Sequence, residues 1–488
     1  MPAWTPRAEL CSASQERSFA RESTVKRWPI ILTGIVDELA KINGDLVGSQ
    51  DANAKDKEQE GKKLINQIGE LIYEMRHDRA LTPLEPTGPP EDAYVYNTEL
   101  AQLKEKNQDK WFTAPWLYAE CYLYRRLHAL FAVTQHWSLF DPFASQKLST
   151  WKSSASGAAA LAKSLEALVS RAGGKVPQPP FAKEDEDKLR VDFLALAEAC
   201  LWGNATDLSL LTSLSHDEIQ ALQSVERGKS FLLKDDFEKA WEHVKELKGG
   251  RVDFVLDNSG FELFTDLCLA DWLVTLSPFV SEVVIHPKLI PWFVSDVQPH
   301  DFTLLLSTLC SRSPSYIFAD ASLSPDETAA LDALAERWNR YVDEGTFRLS
   351  VPKELKMGEK GGEAADFWTS PLPFSDLPSA APALLADLKV SDLVLFKGDL
   401  NYRKLVSDAW WPTTHPFDAA LGPLAFHFPI LSLRTCKADT VCGLEESVEE
   451  RVEREDEGWR KNGKYAVVSF VPADASKVKT AEELNRAQ

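Results

Sequence analysis

The stretch VDFVLDNSGFELFTDLCLAD, residues 252–271, opens as an apolar run and turns polar at Asp257. Residues 252–256 read as a buried strand, Ser259-Gly260 as a tight turn and residues 261–274 as a helix. This is one strand–turn–helix unit, and it puts Asp257 and Asn258 at the carboxyl end of the strand, where open α/β sheets take their ligands. Two explanations stand side by side at this point. The pair could offer oxygen ligands to a hard divalent cation, or one of its members could cap the helix that follows.

The same pattern recurs from Arg251 onward. Short β-rich runs, SEVVIH (281–286), SYIFAD (315–320), TFRLSV (346–351), DLVLF (392–396), ILSLR (430–434) and YAVVSF (465–470), are spaced by helical patterns at 301–312 and 326–341. Ser324 is placed to cap the second of these helices. Such alternation predicts an α/β fold with a mainly parallel, doubly wound sheet. Residues 25–202 differ, with apolar side chains at three-to-four spacing, as in Ile30, Ile31, Ile35, Val36 and Leu39. We therefore expect a mainly helical N-terminal domain over residues 1–205 and the α/β domain over 206–488, a division that suits a chain of 488 residues.

Composition narrows the function. Acidic side chains number 74 against 54 basic ones, and the resulting charge of −20 argues against nucleic acid or an anionic membrane surface as the main partner. Seven cysteines without paired spacing fit reduced thiols and a cytoplasmic protein, with the nucleus as the other choice. No run of roughly 18 apolar residues suggests a membrane span. The charged run 445–464 reads as a solvated helix and loop. No sequence feature sets an oligomeric state.

Three further strand ends carry polar groups. Beyond SEVVIH lies Asp296, either a third oxygen ligand or, with Ser295, another helix cap; His286 reads as structural. LVLFKGDLNYRK (393–404) brings Lys397, Asp399, Asn401 and Arg403 to one strand end, where a lysine and an arginine suit a phosphate. Its spacing is not that of a Walker loop. The run ending Arg434-Thr435-Cys436-Lys437 adds two cations and a hydroxyl. A site for a metal and a phosphate accounts for all of them together. In the helical half, Glu120, Arg125, Asn204 and Asp207 are polar groups in aromatic or apolar surroundings that could line a cleft.

DNSGFELFTDL, PWFVSDV, FKGDLNYRKL and RTCK, with PWLYAECYLYRR and LWGNATDLSLL, closely resemble the damage-control phosphatase family, once called domain of unknown function 89, in its Arg-Thr-x-Lys branch. The resemblance covers residues 20 to 475. It implies a Rossmann-like α/β/α sandwich with a helical N-terminal domain. It also implies a metal-dependent phosphatase of sugar phosphates, such as fructose 1-phosphate, and related damaged phosphometabolites. Asp257, Asn258 and Asp296 would hold the metal, manganese first and cobalt, nickel or magnesium as alternatives, and would form the catalytic set. Asp257, Asn258, Asp399, Leu400, Asn401, Tyr402, Arg403 and Lys437 would bind substrate, and Lys397 and Glu120 join that list from their own chemistry. The same branch implies a second activity, methyl transfer from S-adenosylmethionine to protein glutamate carboxylates, with Glu262 and Asp296 contacting the donor. No Gly-x-Gly-x-x-Gly loop supports it. A phosphometabolite-binding protein without turnover is the non-enzymatic alternative, yet no acid or cation of the set is missing. The attacking group is either a polarised water or Asp257 itself; the absence of an acid two residues after Asp257 favours water.

Overall fold

The computed structural model describes residues 4–50, 52–86, 92–173, 176–203 and 231–487. The expected domain boundary at 205/206, and with it Asn204 and Asp207, lies outside the described residues.

Seven strands form one sheet: β1 (Leu232–Lys234), β2 (Gly250–Val255), β3 (Val280–His286), β4 (Phe347–Leu349), β5 (Leu393–Lys397), β6 (Ile430–Thr435) and β7 (Ala466–Val471). Their order is β1-β7-β6-β5-β2-β3-β4. The five strands from β6 to β4 are mutually parallel, while β7 runs antiparallel to β6 and β1 is parallel to β7. The chain moves outward from β2 through β3 to β4, then returns to the other side of β2 as β5. The topological switch point thus falls between β2 and β5, and a crevice opens there at their carboxyl ends.

Period-two alternation divides the sheet's side chains between two cores. Val252, Phe254, Leu393, Leu395, Leu431 and Leu433 pack with the helices Ala155–Ala172, Lys183–Trp202, Phe261–Thr275 and Pro325–Glu344. Val255, Val394, Phe396 and Ile430 face the opposite way, into a cluster with Phe374, Leu384, Tyr402 and Leu405. The result is an α/β/α sandwich. A third core joins the helices Trp28–Leu46, Ala54–Arg76, Ala93–Glu105 and Trp116–Ala132, and it reaches the sandwich through Ile290, Trp292, Leu400 and Ala438. These four residues all lie in segments that follow β3, β5 or β6, so the helices cap the carboxyl edge of the sheet.

Helix Pro325–Glu344 begins at Ser324 with a reciprocal capping box to Glu327, as its sequence predicts. The polar run 48–63 is split between a turn and the opening of Ala54–Arg76. SYIFAD, expected as a strand, is instead a series of turns that drops Ile317 and Phe318 into the first core, with the Ile317 amide bonded to the Thr308 carbonyl at 3.1 Å. A short apolar run has no period to distinguish a strand from an anchoring loop. β1 escaped the sequence reading because only three residues pair.

One side chain braces the switch point. Asn401, wholly buried, donates from Nδ2 to the carbonyls of Val255 (3.2 Å), Leu256 (3.0 Å) and Lys397 (2.6 Å), tying the end of β2 to the end of β5. Asn401→Ala leaves these carbonyls short of a donor and is expected to cost about 1–3 kcal/mol. The measurement is the thermal midpoint, and a midpoint equal to that of the unaltered protein would show the brace to be idle.

Candidate active site

At the end of β2 the chain turns through Asp257 and Asn258 to Gly260, which has φ of +71° and precedes helix Phe261–Thr275. No side chain caps that helix. The helix after Asp296 is capped by Gln298 and Asp301 instead. Neither Asp257, Asn258 nor Asp296 is therefore consumed as a cap, and the alternative left open by the sequence falls away.

A strap formed by residues 292–297 fixes their mutual position. Ser259 N–H donates to the Ser295 carbonyl (2.7 Å), Val297 N–H donates to the Asp257 carbonyl (2.9 Å), and Asn258 and Asp296 face each other in an isolated antiparallel bridge. Phe293 and Val294 take φ of 44° and 72°, a left-handed conformation unfavourable for side chains of their size. Stacking of Phe293 on Tyr124, at 4.8 Å between ring centroids, helps to hold that bend. On the other side, β5 runs into Gly398, φ +82°, where an added Cβ would lie 1.9 Å from the Asp257 Oδ2 atom. Only glycine lets the two strand ends approach so closely.

Asp257, Asn258, Asp296, Asp399, Leu400, Arg403 and Lys437 all line one cavity of about 780 Å³ beneath the helical cap. Asn258 donates from Nδ2 to Asp257 (2.7 Å) and Glu262 (2.8 Å), while its Oδ1 accepts from Ser295 Oγ. Burial, together with the neighbouring Glu262 and Asp296 carboxylates, holds the Asp257 carboxyl well above the usual range. Asp296 is pushed up to about 7, chiefly by burial, although Lys288 and Lys147 pull it down. Lys288 is buried, 3.5 Å from Asp296, and also donates to the Leu256 carbonyl at 2.7 Å. It was missed in the sequence, where an unpaired lysine between apolar PKLIPW residues was its only signal.

The far wall is built by an arginine that never reaches the cavity. Arg434 binds Asp399 (2.8 Å), the carbonyls of Thr440 (2.6 Å) and Ala438 (3.1 Å), and stacks over Tyr402 at 4.1 Å. These contacts fold the loop after β6, and Lys437 N–H closes it on Asp399 at 3.0 Å. The Lys437 side chain is thereby delivered to the cavity.

Five other candidates, Lys397, Asn401, Tyr402, Glu120 and Arg125, stand off the cavity wall. Lys397 is buried and held by Asp266 (2.8 Å), Glu262 (3.2 Å) and the Cys200 carbonyl (2.6 Å), so it supports Glu262. Asn401 is the brace described above. Tyr402 points into the sandwich, where its hydroxyl accepts from Cys442 N–H at 3.0 Å. Glu120, fully buried, accepts from Arg403 (2.6 Å), Trp28 Nε1 (2.9 Å) and Arg27 (3.2 Å). Arg125 pairs with Asp92 at 2.7 Å within the helical cap. His286 is structural, 2.8 Å from the buried Asp253.

A second group, Asp141, His300 and Asp301, brings its ligand atoms within 4.8 Å of one another, close enough to share a metal ion. The Lys147 ammonium already sits there, 3.0 Å from Asp141 and 2.8 Å from Asp301. A positive charge in that place opposes a second one.

A model of the damage-control phosphatase ARMT1-like domain matches residues 23–452. The chain is 33% identical to the damage-control phosphatase ARMT1 of Danio rerio, over 94% of its own length and 96% of that protein's, and 33% identical to the Mus musculus protein of the same name, over 94% and 97%. Identity to the Homo sapiens protein is 32%, over 93% and 96%. Among solved structures, a DUF89-family protein from Pyrococcus horikoshii aligns over 90% of this chain and 96% of its own at 13% identity and a TM-score of 0.34, too low to bear on the fold, which stands on the strand order alone. With most of its length matched by the domain model, and with relatives above 30% identity along almost all of theirs, the chain belongs to the ARMT1-like damage-control phosphatase family.

Proposed function

We propose that the protein is a divalent-metal-dependent phosphatase of small phosphate monoesters, sugar phosphates such as fructose 1-phosphate and damaged phosphometabolites among them. The observation that carries this reading is the convergence of Asp257, Asn258 and Asp296 with Lys437 on one cavity at the switch point of the sheet.

The donor set fits a hard cation. Two carboxylates and an amide oxygen are the ligands such ions take, Asp296 Oδ2 is buried with no hydrogen bond and only the Lys288 ammonium at 3.5 Å, and the crowding of Asp257 by Asp296 and Glu262 is what a divalent charge would relieve. The Asn258 amide nitrogen, between Asp257 and Glu262, supplies a weak version of that positive charge. A bound ion, manganese first, would offset phosphate charge and polarise the reacting oxygen. The protein's own groups do the rest. Lys437 neutralises phosphate oxygens from the opposite wall, Asp399 is held in place to accept a hydroxyl of the substrate body, and Gly398 leaves room for the phosphate beside Asp257. Attack by water is preferred to attack by Asp257, since Ser259, two residues on, offers no acid partner for a phosphoenzyme. Seven free thiols, six of them buried, support a reducing compartment such as the cytoplasm. No described helix is long and apolar enough to cross a membrane.

Phosphate release from a panel of sugar phosphates with manganese is the direct test. Asp257→Asn is expected to lower kcat/KM by about a thousandfold or more, while raising the thermal midpoint of the metal-free protein because one buried like charge is gone. Equal release by wild type and variant would refute the reading. Gly398→Ala drives a methyl group into the Asp257 carboxylate and should lower turnover about a hundredfold. Turnover unchanged in that variant would mean that the two strand ends need not meet. Chelation followed by resupply of manganese should abolish and then restore release, and activity that survives chelation would remove the metal from the scheme.

A further inference from the structure

Resting on the phosphatase reading, a question remains as to which cation grips the phosphate. Arg403 looks suited by sequence, but its guanidinium is spent: one edge binds Glu120 at 2.6 Å, the other binds Asp408 at 2.9 and 3.1 Å, and its face lies 3.7 Å from the Trp116 ring. A bidentate grip on a phosphate would need those bonds broken inside a buried site, at the cost of leaving Glu120 and Asp408 short of their partner. Lys437 offers an ammonium but no fork. Even with a divalent ion held by Asp257, Asn258 and Asp296, the wall's four acids, Asp257, Asp296, Asp399 and Glu38, leave an entering dianion in need of more positive charge than Lys437 supplies.

We propose that Arg27 is the substrate's phosphate-gripping residue, delivered to the cavity by the turn that leads into helix Trp28–Leu46 of the cap. Arg27 lines the cavity together with Asp257, Asp399 and Lys437. Its NH2 makes a hydrogen bond of 3.2 Å to Glu120, the Tyr124 hydroxyl is a further polar neighbour, and its side chain is 42% exposed, which leaves several of its five donors available. Glu120 would not be stranded if Arg27 turned toward a ligand. Its Oε1 also accepts from Trp28 Nε1 and its Oε2 from Arg403 NH1. The two arginines therefore flank one carboxylate with a division of labour: Arg403 is fixed and locks Glu120, while Arg27 is loosely tethered and free to swing.

The backbone supports the same assignment. Residues Ser23–Arg27 form a π-helical turn that widens the chain just before helix Trp28–Leu46. Such turns are costly unless the rest of the molecule holds them, and they recur at functional sites. Here the wide turn ends on Arg27. It is followed by Ile30, Ile31 and Gly34, which continue along the same cavity wall and would lie against the body of the substrate. The Phe19 ring, 5.4 Å from the Arg27 guanidinium and packed edge-on against Trp116 at 5.8 Å, links the two arginine sites.

The test uses the full chain with manganese, fructose 1-phosphate as substrate and inorganic phosphate as competing ligand. Arg27→Met should raise KM and the inhibition constant of inorganic phosphate together, each about tenfold or more, with kcat held within about threefold. Arg27→Lys should fall between wild type and Arg27→Met, since it keeps the charge and loses the fork. Arg27→Gln serves the same purpose if the methionine variant does not fold. An inhibition constant for inorganic phosphate within about twofold of wild type would overturn the proposal, even if KM rose, because Arg27 would then read the body of the substrate. A fall in kcat alone would overturn it as well. If wild type releases phosphate from no ester, the phosphatase reading itself fails. Calorimetric titration of inorganic phosphate into the manganese-loaded proteins then decides the role of Arg27, and equal Kd values for wild type and Arg27→Met would refute it.

Discussion

The contact on which the site depends is the meeting of two strand ends across the switch point, where the turn after β5 comes so near the Asp257 carboxylate that position 398 can hold no side chain. Parallel strands from different parts of the chain are separated by whole crossovers, so nothing local compels their ends to coincide. Here the Asn401 amide, shared among three carbonyls, and the strap 292–297 force them together. The outcome is a concentration of like charge that no soluble core would otherwise accept. Asp257, Asp296 and Glu262 crowd one another in a buried place, and each is answered by a nitrogen from elsewhere: Asn258, Lys288 and Lys397.

Much of this was legible in the sequence, for a physical reason. An apolar run that ends in an acid and an amide cannot bury those groups without partners, so the break at Asp257 marked both a strand end and a place on the cavity wall. The same logic singled out Asp296, Asp399 and Lys437, which line the same cavity. It failed where position along the chain does not determine direction in space. Asn401 and Tyr402 neighbour Asp399 and Arg403, yet on a helical turn they point elsewhere, one to the backbone and one to the sandwich core. Lys397, the last residue of β5, faces Glu262 and Asp266 and not the cavity. SYIFAD has the composition of a strand and the role of an anchor. Arg27 gave no signal, because its significance comes from a tertiary neighbour, Glu120, that stands far away in the chain.

Ion pairs in this molecule serve order more than net stability. Arg434 illustrates the point: it is buried, its donors are shared among a carboxylate and two carbonyls, and its aromatic partner covers one face. A buried pair of this sort gains little over well-packed apolar groups. What it does provide is a loop of definite shape, which a hydrophobic substitute could not specify. The Arg403, Glu120 and Asp408 cluster does the same between the cap and the sandwich.

That last cluster has a consequence for how such a protein can change over generations. Glu120 belongs to a helix of the cap, Arg403 to the helix Gly398–Leu405 that follows β5, and each is buried against the other. Losing either member leaves the other with fewer partners in a buried place, Glu120 with Arg27 and Trp28 or Arg403 with Asp408, so exchanging the cap piecemeal costs stability at each step. Shifts in substrate range must instead arise at exposed cavity positions such as Ile30, Ser149 and Thr150, which bear no such partnership. The fold thereby confines its own experimentation to a few residues while the chemistry beneath them stays fixed.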